Sequence, residues 1–405
     1  MIDTNSQKIE EILTRGIEEV FEKESLVKKM QSGRQLRIKL GIDPTGPKIH
    51  IGRAFQFWKL RDFQEMGHKI VLIIGDFTAQ IGDASDKQAM RQVLTEKEIK
   101  ENLKDYLKQI GKILDMRKVE VRYNSEWFKK MKVMDFVNLQ MIFTAQQIIQ
   151  RRNFKERWDE GKPIGSHELD YPLFQGYDSV MVKADVEIGG SDQLFNLQTG
   201  REIQKHFNQQ QQDIMTSKML NGLDGRKMST SWGNIITIVD EPQDMFGKVM
   251  SMKDELIDEY FELTTRLSES EISEIKNSSD NPRDIKAQLA KEIVKMYHGE
   301  KLAEKAEEEF NKVFRDKELP SDMPVFNADK SNYFIADLLV ETKLASSKNE
   351  AKRLVEGGGV QIEIPNSNDQ IPNKIKIQDW REEIKIENGM IIKVGNRKFA
   401  KIILK

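Results

Sequence analysis

Residues 36–54 read LRIKLGIDPTGPKIHIGRA. Leu36, Ile38, Leu40 and Ile42 alternate with Arg37, Lys39 and Gly41, which is the two-residue period of a strand. The run stops at Asp43-Pro44-Thr45-Gly46-Pro47, a turn signal, and helical spacing resumes near His50. A strand, a turn and a helix N-terminus in succession bring free N–H groups and a positive dipole end together, and Gly41 and Gly52 let a ligand approach the backbone. The unit therefore suits phosphate. Its spacing is neither G-x-G-x-x-G nor a Walker A loop, and taken alone it fits an ordinary βα turn with a surface His equally well.

Working outward, Ile70–Ile74 reads as a buried strand ending at Gly75-Asp76, and Val119–Tyr123 as another after a helical stretch over 95–114. Strands separated by helices indicate an α/β chain with a Rossmann-like doubly wound parallel sheet. Ile9, Ile12, Leu13, Ile17, Val20 and Phe21 predict one amphipathic helix between Ile9 and Met30. Beyond Asp240-Glu241-Pro242 the pattern is helical to about Phe314. The expected organisation is an α/β domain over 1–240, a helical domain over 241–318, a linker over 319–330 and a small α+β domain over 331–405.

Composition limits the function classes. The 405 residues carry 64 Lys+Arg against 66 Asp+Glu, a formal net charge of -2, so no global basic field gathers nucleic acid and any RNA site is local. Residues 331–405 hold 13 Lys/Arg and 10 Asp/Glu, which places the local cationic excess in the tail. The absence of Cys excludes disulfides, thiol nucleophiles and Cys-ligated metals, and fits a reducing compartment, the cytoplasm by default. No apolar run has membrane-spanning length and the N-terminus has no signal-peptide pattern, so neither a membrane nor DNA is expected as a partner. His68, His167, His206 and His298 show no ligand spacing, and no metal site in the protein is expected.

A second segment, GLDGRKMSTSWGN at 222–234, sets Arg226 and Lys227 after a Gly-rich turn and before small hydroxyl residues. That describes a cationic loop able to close on phosphates, although a solvated basic turn is the commoner meaning of such a string. Together the two segments resemble the paired signatures of class I aminoacyl-tRNA synthetases. With YPLFQGYDS (171–179), GGSDQLFN (189–196), IGD (81–83) and YNSEW (123–127) between or beside them, the chain is similar to the bacterial tyrosyl-tRNA synthetases over nearly its whole length.

That resemblance implies tyrosine–tRNA ligation: ATP, with Mg2+ on its phosphates, activates L-tyrosine to tyrosyl-adenylate, and the tyrosyl group passes to the 3′ end of tRNA(Tyr). It implies a homodimer as well, for which the helical stretch 129–152 is a candidate surface. His50, Arg53, Thr45 and Lys227 match catalytic positions. Gly41, Asp43, Gly52, Gly189, Gly190, Asp192, Lys227 and Thr230 match ATP-binding ones. Asp83, Thr78, Tyr171, Gln175, Asp178, Gln193 and Lys39 match the tyrosine pocket, with Asp178 receiving the phenol hydrogen. Three residues depart from the usual pattern: Arg53 stands for the second His of the first signature, Thr230 for the second Lys of the other, and Lys39 where another subgroup places a Tyr. The tail, from FIADLLVETKLASSKNEAKRLVEGGGVQIE to VGNRKFAKI, is similar to the alpha-L RNA-binding fold, which implies tRNA contacts from Ser346, Lys348, Lys352, Arg353, Arg397 and Lys398. The rival readings are a synthetase for another aromatic amino acid, chiefly tryptophan, and a noncatalytic RNA-binding paralogue.

Overall fold

The computed structural model describes residues 2–83, 94–228, 232–314, 323–364, 373–395 and 398–404. They form two compact units, one of residues 1–241 with 248–299 and the other of 242–247 with 300–405. The first unit is built on β1 (Ile17–Phe21), β2 (Arg37–Ile42), β3 (Lys69–Ile74), β4 (Val119–Tyr123), β5 (Val186–Gly190) and β6 (Asp213–Ser217). Their order in the sheet is β1-β6-β5-β2-β3-β4. β2 to β6 run parallel and β1 is antiparallel to β6.

The chain leaves β2 toward β3 and β4, then returns on the other side through β5 and β6, so the order reverses between β2 and β5. In open α/β sheets that reversal opens a crevice at the carboxyl ends of the strands. Here β2 and β5 pair only at Ile38–Val186 and Lys39–Glu187 before they separate. Leu40, Gly41 and Ile42 on one strand and Ile188, Gly189 and Gly190 on the other line the resulting cleft.

Two expectations change. Ile9–Met30 is a helix, α1 (Ser6–Thr14), then β1, then a second helix, α2 (Lys23–Gln31). Gly16, at φ +64°, turns the chain where a continuous helix would have run, and Phe21 finds its partner in Ile214 of β6. Residues 257–298 belong to the first unit and do not stand as a separate helical domain. Arg15 donates to the carbonyls of Phe261, Glu262, Thr265 and Leu267, and Trp58 Nε1 donates to Tyr297 Oη at 3.1 Å, so this segment is fastened to the N-terminal third.

The second unit carries a five-stranded sheet in the order β10 (Asn373–Lys376), β9 (Val360–Ile364), β12 (Ile391–Val394), β13 (Lys398–Leu404), β7 (Val325–Ala328), and a ribbon of β11 (Glu383–Lys385) with β8 (Asn332–Phe334). Helices Ile335–Glu341 and Lys348–Glu356 close it over Leu338, Leu339, Val355, Ile362 and Ile392. This is an α+β module as expected at the tail, but it begins before residue 331: β7 lies within the 319–330 stretch expected as a linker and pairs with β13.

One core residue is expected to make the first unit acid-sensitive. His68 is buried, accepts the Leu36 N–H through Nδ1 at 3.3 Å, and burial pushes its imidazole down to about 4. The unfolded chain takes up the proton first, so stability is complete above about pH 6.5 and declines as pH falls toward 4, by up to about 3 kcal/mol. His68→Gln is expected to flatten that decline, read as Tm between pH 7 and 4.5.

Candidate active site

A helix, α3 (Ile51–Glu65), begins directly after the turn that follows β2. His50 is its N-cap: Nδ1 accepts the Arg53 N–H at 3.2 Å. Desolvation and the Arg53 cation push the imidazole down to about 3, so the ring is neutral and, with Nδ1 accepting, carries its proton on Nε2. His50 thus presents a donor to the cleft without titrating near neutrality. Arg53 donates to Tyr106 Oη at 2.9 Å and to the Asp43 carbonyl at 3.4 Å. Its guanidinium is braced by a tyrosine that sequence reading did not single out.

The cleft holds a cavity of about 310 Å³. It is lined by Gly41, Asp43, Thr45, His50, Gly52, Arg53, Thr78, Asp83, Tyr171, Gln175, Asp178, Gly189, Gly190, Asp192, Gln193 and Lys227. Residues assigned separately to nucleotide and to amino acid thus converge on one space. At one end of the cavity, Lys227 Nζ lies 3.9 Å from Asp192 Oδ2. Gly189 and Gly190 leave room there: a Cβ on Gly190 would sit 2.7 Å from Asp192 Oδ1, and one on Gly189 would sit 3.1 Å from Gln193 Cβ. Gln56, Ser217 and Lys218 also line the cavity and carried no motif signal. Thr230 lies outside the described residues.

The opposite end is a buried polar pocket. Helix Ser166–Val182 follows the Gly165 cap and presents Tyr171, Gln175 and Asp178 at helical spacing to the same side. Tyr171 donates to Asp43 Oδ2 at 3.1 Å, and Thr78 donates to Asp43 Oδ1 at 2.8 Å. Asp178 accepts Trp127 Nε1–H at 2.9 Å and Asn124 Nδ2–H at 3.4 Å. Burial pushes its carboxyl up to about 7, against the lowering influence of Lys39 and of those two donors. Asn124 and Trp127 lie within YNSEW, a motif legible in the sequence whose pocket role was not. Asp83 accepts Gln193 Nε2–H at 2.7 Å and pairs with buried Arg151 at 3.1 Å, another residue without a sequence signal.

Lys39 differs from expectation. It is fully buried and does not line the cavity, because its amine pairs with Glu187 on the neighbouring strand. Parallel sheets are covered on both faces, so the polar half of the strand alternation points into protein.

Gly75 was noted only as a strand end, yet a Cβ there would lie 2.0 Å from Asp43 Oδ1 and 2.3 Å from Thr78 Oγ1. Gly75→Ala is expected to dislodge the Asp43–Thr78–Tyr171 group and, on the role that the resemblance implies for it, to raise the KM for the amino acid at least about tenfold, given about 1 kcal/mol for each hydrogen bond lost. An unchanged KM would show that the group bears no load.

In the second unit, Ser347 caps helix Lys348–Glu356 and Ser346 binds Glu350. Lys348 pairs with Asp337 at 2.6 Å, and Lys352 lies over the Trp380 ring at 5.2 Å and 3.8 Å from Glu356. Arg353 and Lys398 are exposed. Arg397 lies outside the described residues.

Residues 30–315 match the family model of tRNA synthetases class I (W and Y), and residues 316–401 match the tyrosine–tRNA ligase SYY-like C-terminal domain. A tyrosine–tRNA ligase of Thermotoga maritima is 44% identical, with 96% of each chain covered. One from Bdellovibrio bacteriovorus is 42% identical, over 96% of this chain and 97% of that one. In fold, the chain is similar to a C-terminally truncated mitochondrial tyrosyl-tRNA synthetase of Aspergillus nidulans, at TM-score 0.63 and 21% identity, with 76% of this chain and 95% of that one covered. It is similar also to the Archaeoglobus fulgidus tyrosyl-tRNA synthetase complexed with L-tyrosine, at TM-score 0.59 and 23% identity, over 75% of this chain and all of that one. A class I architecture with the cleft between β2 and β5, and close likeness over almost the full length, place the chain in the tyrosine–tRNA ligase family.

Proposed function

We propose that the cavity activates L-tyrosine with ATP and then transfers it to tRNA(Tyr). A substrate carboxylate oxygen attacks the α-phosphorus, the bond to the bridging oxygen breaks, and pyrophosphate leaves with the electron pair. A ribose hydroxyl of tRNA then attacks the acyl carbon and AMP leaves. No protein nucleophile is required, so the protein's contribution is to position the reactants and stabilise developing charge. His50 Nε2–H, Arg53 and Lys227 would face the phosphates, Asp192 the ribose, Asp83, Tyr171 and Gln175 the substrate ammonium, and Asp178 the phenol. The observation that carries this reading is that one cavity joins a cationic, donor-rich end to a buried carboxyl at the other.

The Mg2+ that the resemblance implies would travel on the ATP phosphates. Val133, Met134, Met141 and Phe207 are exposed beside a cavity lined by Met131, Ile142 and Tyr177. This apolar face supports a homodimer, although the stretch is two short helices, Val133–Gln140 and Ala145–Ile149, followed by a third from Arg152. The basic residues of the second unit would hold tRNA phosphates. Among the described residues no helix is long and apolar enough to cross a membrane. The tRNA substrate, and a sequence without Cys that fits a reducing compartment, support a cytoplasmic location for the proposed reaction.

Pyrophosphate exchange with ATP, without tRNA, against each of the twenty amino acids tests the reading. Exchange with tyrosine alone is the expected result. Exchange with another amino acid overturns the specificity, and none with any overturns the activity.

A further inference from the structure

Beneath the floor of the cavity lies an ion pair that the reaction chemistry does not touch. Lys39 on β2 and Glu187 on β5 are register partners at the last position before the two strands separate. Their side chains are 0% and 1% exposed, with Lys39 Nζ 2.9 Å from Glu187 Oε1. The same amine donates to the Gln175 carbonyl at 2.9 Å and to Ser179 Oγ at 2.7 Å, so its three hydrogens each have an acceptor. Glu187 in turn accepts Gln175 Nε2–H at 3.3 Å, Ser179 Oγ–H at 2.9 Å and the Gln212 side-chain amide.

Desolvating two charges generally offsets their attraction, and an apolar pair of similar volume would hold the sheet as well, so stability alone is a weak reason for this pair. Its reach gives a better one. Gln175 is gripped twice, at its main chain by Lys39 and at its side chain by Glu187, while Asp178 and Ser179 lie on the next turn of the same helix. The pair thus holds the stretch of helix that carries both ends of the amino-acid pocket.

We propose that Lys39 and Glu187 are positioning residues that set amino-acid selectivity, by fixing through Gln175 and Ser179 the stretch of helix that carries Asp178. The inference rests on the assignment of Asp178 to the phenol. The groups that face Asp178 are Lys39 from β2, Glu187 from β5, Tyr171 from its own helix, and the donors Asn124 and Trp127 that follow β4. Burial raises the Asp178 carboxyl, Lys39 lowers it and Glu187 raises it. An acceptor that gains a proton on acidification must compete as a donor, so tyrosine use falls as pH drops through about 7, the value to which the carboxyl is pushed.

The test is the pH profile of kcat/KM for tyrosine, with the tyrosine-to-phenylalanine ratio at pH 7, in pyrophosphate exchange by the full chain and by Lys39→Met, Glu187→Gln and the double variant. The acidic limb is expected to move alkaline by about one pH unit in Lys39→Met and acidic in Glu187→Gln, because removing opposite charges acts in opposite directions. The tyrosine-to-phenylalanine ratio is expected to fall about tenfold in Lys39→Met, and the ratio for Glu187→Gln to fall less. A structural filler would move neither limb, or both the same way, and that result overturns the proposal. Should Lys39→Met fail to fold, the double variant carries no unpaired buried charge; because Lys39 acts on Asp178 more strongly than Glu187 does, it is expected to keep an alkaline shift smaller than about one pH unit together with the fall in the tyrosine-to-phenylalanine ratio, and an unmoved limb with an unchanged ratio there overturns the proposal. Wild-type protein that exchanges no tyrosine overturns the underlying reading, and wild-type exchange with unmoved limbs overturns only the positioning role.

Discussion

Replacing Asp178 with Ala is expected to lower kcat/KM for tyrosine between about tenfold and a hundredfold, while kcat/KM for phenylalanine stays level or rises. A hydrogen bond to an ionised acceptor contributes about 1.5–3 kcal/mol, and 1.4 kcal/mol corresponds to a factor of ten. The opposite response of phenylalanine has a separate cause. Asp178 is buried, and a substrate without a hydroxyl would leave its carboxylate closed in beside an apolar ring edge, a penalty that Ala removes. Asp178→Asn keeps volume and part of the hydrogen bonding to Trp127 and Asn124, so it is expected to lie between wild type and Ala. A tyrosine-to-phenylalanine ratio unchanged in the Ala variant would remove Asp178 from the phenol site.

His50→Ala is expected to reduce the rate of adenylate formation about a hundredfold to a thousandfold with little change in the KM for tyrosine, as befits a preorganised donor aimed at charge that grows in the transition state. His50 also caps α3 through Nδ1, so part of any loss could come from the helix end. His50→Asn separates the two roles, since Asn is among the best caps but reaches less far. Near-complete recovery in Asn would assign the residue to the cap, and continued loss would assign it to the phosphates. Because the imidazole is held down to about 3, no change in rate attributable to His50 is expected between pH 5 and 8.

How much of this was legible depended on whether the deciding partner was local. β2, β3 and β4 announced themselves because alternation or a short apolar run bounded by turn residues has no good helical reading. IEEVF at 17–21 did not, since Ile17, Val20 and Phe21 also satisfy a helix, and what makes them a strand is pairing with β6 far along the chain. Most cavity residues were legible through motif resemblance, which places residues without supplying their hydrogen bonds. Lys39 shows the limit: the resemblance placed it in the pocket, and only its partner Glu187 on another strand shows that it lies outside the cavity lining. Arg151 beside Asp83, Tyr106 beneath Arg53 and Gly75 against Asp43 are of the same kind, each defined by a neighbour that no spacing rule connects to it.

The two signature segments are also joined through their main chains. His50 and Thr237 form an antiparallel bridge, the Ile51 N–H donates to the Ile236 carbonyl at 2.9 Å, and the Ile238 N–H donates to the Ile49 carbonyl at 2.9 Å. At its other end, the segment that begins at Asn221 is tied to Glu259 by backbone and side-chain hydrogen bonds and to Tyr260 through its carbonyl. The configurational entropy of bringing two remote stretches of chain together is therefore spent once, when the protein folds, and is not levied again at each turnover. The two signature segments thus have their separation already fixed at both moorings before any substrate arrives.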